Sequence, residues 1–364
     1  MTGRLVRSTT LRRPVESTAK DPTIEAAVRA LRNGEVPWTL HSRCEYASDP
    51  GQWGASLIND AEVMIACLDA AGPKSVVEVG AYAGDLTRLL LDWAEGSGAR
   101  IWAIDPDPQP ELVHLDDERP DLELIRATSI EALERIPLPQ AAVIDGDHNY
   151  YTVSEELRLI GEKASGADLP LLMFHDVCWP HARRDSYYTP ERIPDEHRQP
   201  IVEGAGLYPG ESGTRLGGLP YHFAAEREGG PRNGVLTAVE DFVAERDGLR
   251  LAVVPAFFGF GVVWHEDAPW ADELAELLEP LNRNPLLERL EANRVFHLAS
   301  MHHQMVQAAI AQQRVARQEV VLRRLLESSA FSVAERLSRL RERVGIGRHA
   351  TVVSKDDVRR ALAG

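Results

Sequence analysis

From Ser75 to about His265, short apolar runs alternate with helix-patterned stretches, and this rhythm constrains the chain more than any other feature of it. Parallel strands need a crossover of a dozen or more residues, and a crossover helix with one apolar face lies against the sheet it spans. The segments SVVEVG, RIWAID, LELIRA, AAVIDGD and LPLLMFHDV read as five strands. Between them, DLTRLLLDWAEG sets Leu86, Leu89, Leu90 and Trp93 at helical spacing before a glycine stop, and TVSEELRLIGEK is helical as well. An α/β fold follows, mainly parallel, with helices on both faces. Later, GVLTAVEDFVAERDG leads into LRLAVVPAFFGFGVVWH, where PAFFG is short enough for a hairpin, so the sheet is expected to end with an antiparallel strand.

The flanks of this body differ from it. A length of 364 residues suggests about two units of ordinary size. Residues 1–36 read as a basic, partly disordered arm, more like a frayed terminus than a transit peptide. The body is drawn over 37–270. Within it, 178–233 is rich in proline and glycine with little periodicity, which suggests an inserted lid, with a plain surface excursion as the alternative. Helix formers dominate 271–364, where Leu298, Met301, Met305, Ala309, Val321, Leu322 and Leu325 make an apolar stripe. That stripe packs on the body or forms a dimer seam; a homo-oligomer through these helices is the expectation. His297, His302 and His303 lack a matching carboxylate pattern and read as solvated or packed helix residues.

Charge and cysteine usage narrow the class of partner. The formal net charge is −16; from Ala271 onward there are 15 basic and 12 acidic residues, leaving 25 basic and 44 acidic before it, or −19. So negative a body repels phosphate backbones, which argues against nucleic acid and for a small-molecule substrate. Cys44, Cys67 and Cys178 are too few and too scattered for a disulfide framework, and the apolar runs are shorter than the roughly 20 residues of a membrane helix. A cytoplasmic protein without a membrane partner is expected.

Two stretches carry chemistry. VVEVGAYAGDLT sets Gly80 and Gly84 in the turn between the first strand and its helix, where a ligand can approach backbone amides. The pattern is Glu-x-Gly-x-x-x-Gly, with Tyr82 where the dinucleotide motif has its middle glycine, so a pyrophosphate has less room. Asp105 ends the second strand about twenty residues on, where a carboxylate can accept both ribose hydroxyls. Glu78, Gly80, Asp105 and Asp145 are therefore expected to converge on one crevice that takes a nucleoside. The second stretch, VIDGDHNYYTV, puts Asp145, Asp147 and His148 just after an apolar run. Spacing alone leaves open whether they form a polar strand end or hold a metal and take a proton.

With these residues in place, the chain resembles the class I S-adenosylmethionine-dependent methyltransferases, roughly from Trp53 to His265. EVGAYAG is similar to the cofactor turn of catechol O-methyltransferase-like enzymes, and DGDHNY followed by FHDV resembles the branch acting on small molecules and sugars in secondary metabolism. The resemblance implies a Rossmann-like methyltransferase sheet and S-adenosyl-L-methionine as cofactor. It places Gly80, Tyr82 and Gly84 along the methionine moiety, Asp105 at the ribose and Ser129 near the adenine, a helix N-cap being the other reading of Ser129. Metal-dependent relatives further imply Asp145, His175 and Asp176 as ligands and His148 as proton acceptor. His175 stands where many relatives are acidic, which leaves the ion as Mg²⁺ or a softer divalent metal, or absent with His148 or His175 as base; Asp147 is a weaker candidate, or orients His148. Arg183, Arg184, Tyr187 and Tyr188 are candidates for acceptor contact, with surface salt bridges as the competing reading for the arginines. The implied activity is O-methyl transfer to a small hydroxylated acceptor. A metal-free N- or C-methyltransferase, a nicotinamide-dependent oxidoreductase and a cofactor-binding assembly module are the rival readings.

Overall fold

The computed structural model describes residues 57–164, 166–344 and 353–363. The arm over 1–36, residues 37–56 and Cys44 lie outside the described residues. The strands are β1 (Ser75–Val79), β2 (Arg100–Ile104), β3 (Leu122–Ile125), β4 (Ala141–Ile144), β5 (Leu171–Phe174), β6 (Ile201–Leu207), β7 (Leu219–Ala225), β8 (Leu249–Val254) and β9 (Phe260–His265). Among the described residues they form a seven-stranded sheet in the order β3-β2-β1-β4-β5-β9-β8 and a separate β6-β7 hairpin.

The first five strands are parallel, and β9 is antiparallel to both neighbours. PAFFG links β8 to β9 as a hairpin, so the last strand in chain order is the antiparallel one, slotted between β5 and β8. The order doubles back between β1 and β4. In open α/β sheets, ligands bind at such a point, beyond the carboxyl ends of the strands.

The helices are α1 (Ala61–Ala71), α2 (Asp85–Ser97), α3 (Pro110–Glu118), α4 (Ser129–Arg135), α5 (Tyr150–Lys163), α6 (Val235–Ala244), α7 (Ala271–Leu278), α8 (Pro285–Glu327), α9 (Ser329–Arg343) and α10 (Lys355–Ala363). Successive strand side chains point to opposite faces, and the strands are apolar on both. Val76, Ile101, Val143, Met173 and Val262 meet α1, α2 and α7 on one face. Val77, Ile104, Ile144, Phe174 and Val263 meet α4, α5 and α6 on the other. Leu274 and Leu278 of α7 are buried in the first layer, so the helix that opens the C-terminal region completes the core.

The stretch 178–233, which looked irregular in sequence, contains β6 and β7. Its glycines are the reason the strands are hard to read: at Gly206 a Cβ would lie 2.3 Å from the carbonyl oxygen of Gly217, so the close approach of two backbones excludes a side chain. Helix α8 runs from this hairpin outward, with Val295 and Ala299 buried at its start and Met301, Met305, Val321 and Leu325 exposed further on. No helix among the described residues is long and apolar enough to cross a membrane.

Candidate active site

The loops after β1 and β4 touch where the sheet order reverses. Gly80 has φ +86, and a Cβ on it would fall 2.1 Å from the carbonyl oxygen of Asp145. No larger residue fits without parting the two loops. Gly84, at φ +82, caps α2 and lies against Leu112, where a Cβ would come within 3.2 Å of a methyl group. Tyr82 between them takes φ +42, and its side chain is 63% exposed.

Asp105 joins this turn to the end of β2. Its Oδ2 accepts the Tyr82 N–H at 2.8 Å and its Oδ1 accepts the Asp107 N–H at 2.8 Å. Each carboxylate oxygen keeps a further lone pair for a diol. Glu78 is buried inside β1 and accepts from Thr87 Oγ1 at 2.6 Å; burial pushes its carboxyl up to about 8. Glu78 thus anchors α2 to β1. The helix cap considered for Ser129 belongs to its neighbour: Thr128 Oγ1 accepts the Glu131 N–H, and Glu131 returns the bond to the Thr128 N–H, a reciprocal capping box. Ser129 is buried beside Glu156, whose fully buried carboxyl is pushed up to about 8 by desolvation.

At the ends of β4 and β5 the expected residues meet. His148 Nε2 lies 2.9 Å from Asp176 Oδ2 and 3.4 Å from Asp145 Oδ1, and His175 Nδ1 lies 3.2 Å from Asp145 Oδ1 and 3.6 Å from Asp176 Oδ2. His175 Nε2 is 2.9 Å from the carbonyl oxygen of Phe257, so that nitrogen carries a proton. Burial by itself would lower the His175 pKa, but Asp176 and then Asp145 outweigh it and push it up to about 10. Burial and Asp176 oppose each other in the same way at His148, which ends well above the ordinary value. Burial would raise Asp176; its imidazole neighbours, His175 first, hold it well below the usual carboxylate range. Asp176 also takes φ +60, a strained backbone for a non-glycine residue and a feature that clusters at functional sites.

The structure brings in one residue that sequence reasoning missed. His181, 4% exposed, packs against His148 with ring centroids 4.7 Å apart and the planes tilted by 33°, and its Nδ1 is 3.2 Å from Ser186 Oγ. The Ser186 N–H in turn donates to the His148 carbonyl at 2.9 Å, so the 178–233 segment is seated directly on the site. Burial pushes the His181 imidazole down to about 3, so it is neutral at ordinary pH. Nothing in sequence spacing signals this contact, because His181 and His148 are 33 positions apart across a loop.

Other expected contacts go elsewhere. Arg183 pairs with Glu240 at 2.6 Å, and Arg184, 1% exposed, donates to the carbonyls of Ala225 and Ser212. Arg184 thus holds the 178–233 segment together, and Arg183 ties it to α6. Tyr187 is buried and donates to Asp185, whereas Tyr188 is 72% exposed with its ring 5.6 Å from that of His148. Asp147 accepts from Asn149 Nδ2 at 2.7 Å and from the Tyr188 N–H at 3.3 Å, and so braces the loop.

The donor set suits a cation. Asp145, His175 and Asp176 each offer a ligand atom within 4.8 Å of the others, as do His148, Asp176 and His181. A metal-binding histidine ordinarily donates its second ring N–H to a carbonyl or carboxylate, and His175 does so to Phe257.

No family model matches the sequence, and no curated protein matches it. Solved structures do resemble it in fold, at low identity. The SAH-bound methyltransferase PaMTH1 of Podospora anserina is 16% identical, with 71% of this chain and 100% of that one covered and a TM-score of 0.37. A putative caffeoyl-CoA O-methyltransferase of Staphylococcus aureus is 9% identical, with 67% and 100% covered and a TM-score of 0.39. The 1,6-didemethyltoxoflavin-N1-methyltransferase of Burkholderia thailandensis, with bound S-adenosylhomocysteine, is 14% identical, with 69% and 92% covered and a TM-score of 0.34.

Proposed function

We propose that the chain is an S-adenosylmethionine-dependent O-methyltransferase acting on a hydroxyl of a small molecule, a sugar or glycosylated secondary metabolite, with a divalent cation assisting. One observation carries this reading: the turn of Gly80, tied through Tyr82 to Asp105, abuts Asp145, which belongs to the carboxylate and imidazole cluster. A nucleoside-bearing methyl donor and a hydroxyl-activating group thus share one crevice.

In this reading Gly80, Tyr82 and Gly84 line the methionine end of the cofactor, Asp105 offers its remaining lone pairs to the ribose, and Ser129 lies toward the adenine. Glu78 supports the turn from beneath through Thr87. Asp145, His175 and Asp176 would hold the cation, which when bound lowers the pKa of a coordinated hydroxyl. The acceptor oxygen displaces sulfur in line, the C–O bond forming as the C–S bond breaks. Its proton goes to an imidazole. His175 is poorly placed for that, with both nitrogens engaged, and His148 is the acceptor in this reading, a cation held by Asp145 and Asp176 offsetting the carboxylate charge that otherwise keeps its proton on. The segment 178–233 acts as the cover, excluding water while the reacting atoms are aligned.

A metal-free N- or C-methyltransferase is favoured by one feature: His175 itself supplies positive charge between Asp145 and Asp176. Calorimetry with S-adenosylmethionine, its demethylated product and NAD is the first test. Micromolar affinity for the first two without NAD binding supports a methyltransferase, and the reverse rejects it in favour of an oxidoreductase. Methyl transfer from labelled cofactor across sugars, nucleotide sugars, phenols and amines then identifies the accepting atom, and transfer to nitrogen or carbon alone defeats the O-methyl assignment.

A further inference from the structure

We infer that Tyr188 is the platform on which the methyl acceptor lies, and that the acceptor is a neutral hydroxylated ring whose apolar face packs on the phenol, with no phosphate or carboxylate on that ring. This rests on the proposed function, whose acceptor it narrows.

Placement is the first ground. Among the described residues before Pro285, Tyr82, Tyr188 and Leu216 are the large apolar side chains left exposed. Two of the three flank one crevice: Tyr82 in the turn tied to Asp105, and Tyr188 with its ring 5.6 Å from that of His148.

Rigidity is the second ground, because a lone exposed aromatic is ordinary and a firmly held one beside a reactive group is not. The Ser186 N–H donates to the His148 carbonyl at 2.9 Å, the Tyr187 N–H to the Phe223 carbonyl at 3.1 Å, and the Tyr188 N–H to Asp147 Oδ1 at 3.3 Å. Tyr187 is buried, its hydroxyl donating to Asp185 and accepting the Gln199 N–H. Of these adjacent phenols, one fastens the segment and the other is presented to the crevice. A backbone already fixed has less entropy to lose when a ligand covers the side chain.

The charge around the platform selects the ligand. Asp147 bonds the Tyr188 amide, and Asp145 and Asp176 lie against the His148 ring. The two arginines shortly before Tyr188 are engaged, Arg183 by Glu240 and Arg184 by the carbonyls of Ala225 and Ser212. A phosphate or carboxylate on the ring would therefore meet carboxylates, in a body that carries −19 over its first 270 residues. A neutral ring escapes that repulsion. Its apolar face, whether the C–H groups of a sugar or the plane of an aromatic acceptor, packs on the phenol and leaves the hydroxyls at its edge.

The test is saturation-transfer NMR with equilibrium binding, on the full chain in the presence of S-adenosylhomocysteine. The probes are methyl β-glucoside and catechol, with glucose 6-phosphate and protocatechuate as their anionic counterparts. Binding of the glucoside, of catechol or of both supports the inference and names the ring. The anionic counterpart of a bound probe should be at least about 10-fold weaker, as like charges at close range require. Tyr188→Ala should weaken the neutral probe by about 3–10-fold, the range of one aromatic contact, and Tyr188→Phe by less than about 2-fold. Both variants should melt with the parent, since the side chain is exposed. Failure of both neutral probes to bind, equal affinity for the anionic ones, unchanged affinity in Tyr188→Ala, or an equal loss in Tyr188→Phe would each overturn the inference. Affinity for S-adenosylhomocysteine is measured alongside. A chain that holds the neutral ring through Tyr188 but not S-adenosylhomocysteine keeps the platform and sinks the methyltransferase reading; one that binds S-adenosylhomocysteine while the probes ignore Tyr188 does the reverse.

Discussion

Gly80→Ala is the most direct probe of the contact between the two loops that form the crevice. At φ +86 a residue with a side chain costs about 1–3 kcal/mol in backbone strain. The new methyl would lie 2.1 Å from the Asp145 carbonyl oxygen, 2.7 Å from its carbon and 2.8 Å from the Gly146 Cα, where ordinary contact begins at 3.4 Å. All three are backbone atoms, so no side chain can swing aside, and the loops must separate by 3.4 − 2.1 = 1.3 Å. Overpacking of this kind adds about 1–3 kcal/mol, for a total of about 2–6 kcal/mol. Gly72→Ala is the matched control, since Gly72 also has positive φ, +59, but a Cβ there meets nothing within 4 Å. It should cost only the left-handed strain, about 1–2 kcal/mol. By scanning calorimetry, Gly80→Ala should lower Tm by roughly 12 °C and Gly72→Ala by roughly 4 °C. Because a 1 Å misplacement at a reacting centre can cost about 100-fold, methyl transfer should fall by a similar factor in Gly80→Ala. Equal melting shifts for the two variants would refute the claim that backbone contact, rather than conformation alone, demands glycine at 80.

The remaining predictions concern stability and assembly. Burial raises Glu156 from 4.5 to about 8, so the stability tied to its bound proton is complete below pH 4.5 and lost as pH rises through about 8; that gap corresponds to about 5 kcal/mol. Glu156→Gln should flatten the urea-unfolding free energy across this window, and a slope matching the parent's would contradict the assignment. A chain ending at Trp270 loses Leu274, Leu277 and Leu278 from the core at about 1.5–3 kcal/mol each, and should fail to fold cooperatively by circular dichroism. A chain ending at Gln312 keeps α7 and the buried start of α8; it should stay folded and, by light scattering, be monomeric if Val321, Leu322 and Leu325 of the stripe join two copies, an unchanged oligomer excluding that distal part of it.

The sheet was legible because strands buried on both faces read as continuous apolar runs, and all five predicted parallel strands and the PAFFG hairpin fall where expected. The carboxylates and imidazoles at the ends of β4 and β5 were legible because a strand end fixes where its next residue stands. Three features were not. The β6-β7 hairpin is held by close backbone approach at Gly206 and Gly218, which leaves no alternation of side chains to read. His181 reaches the site through a long-range fold of the 178–233 segment. Arg183 and Arg184 suggested an acceptor anchor, but their partners, Glu240 and the carbonyls of Ala225 and Ser212, are distant in sequence.

Glu291, near the start of α8, accepts the backbone N–H groups of Phe257 and Phe258, two residues at φ +50 and +70, and Arg294 clamps it with two bonds of 2.7 Å. The carbonyl that receives the His175 proton belongs to that same Phe257. The start of the long helix and the imidazole therefore hold the same β8–β9 turn from two sides, so a substitution at Glu291 would disturb the carbonyl that fixes the ring.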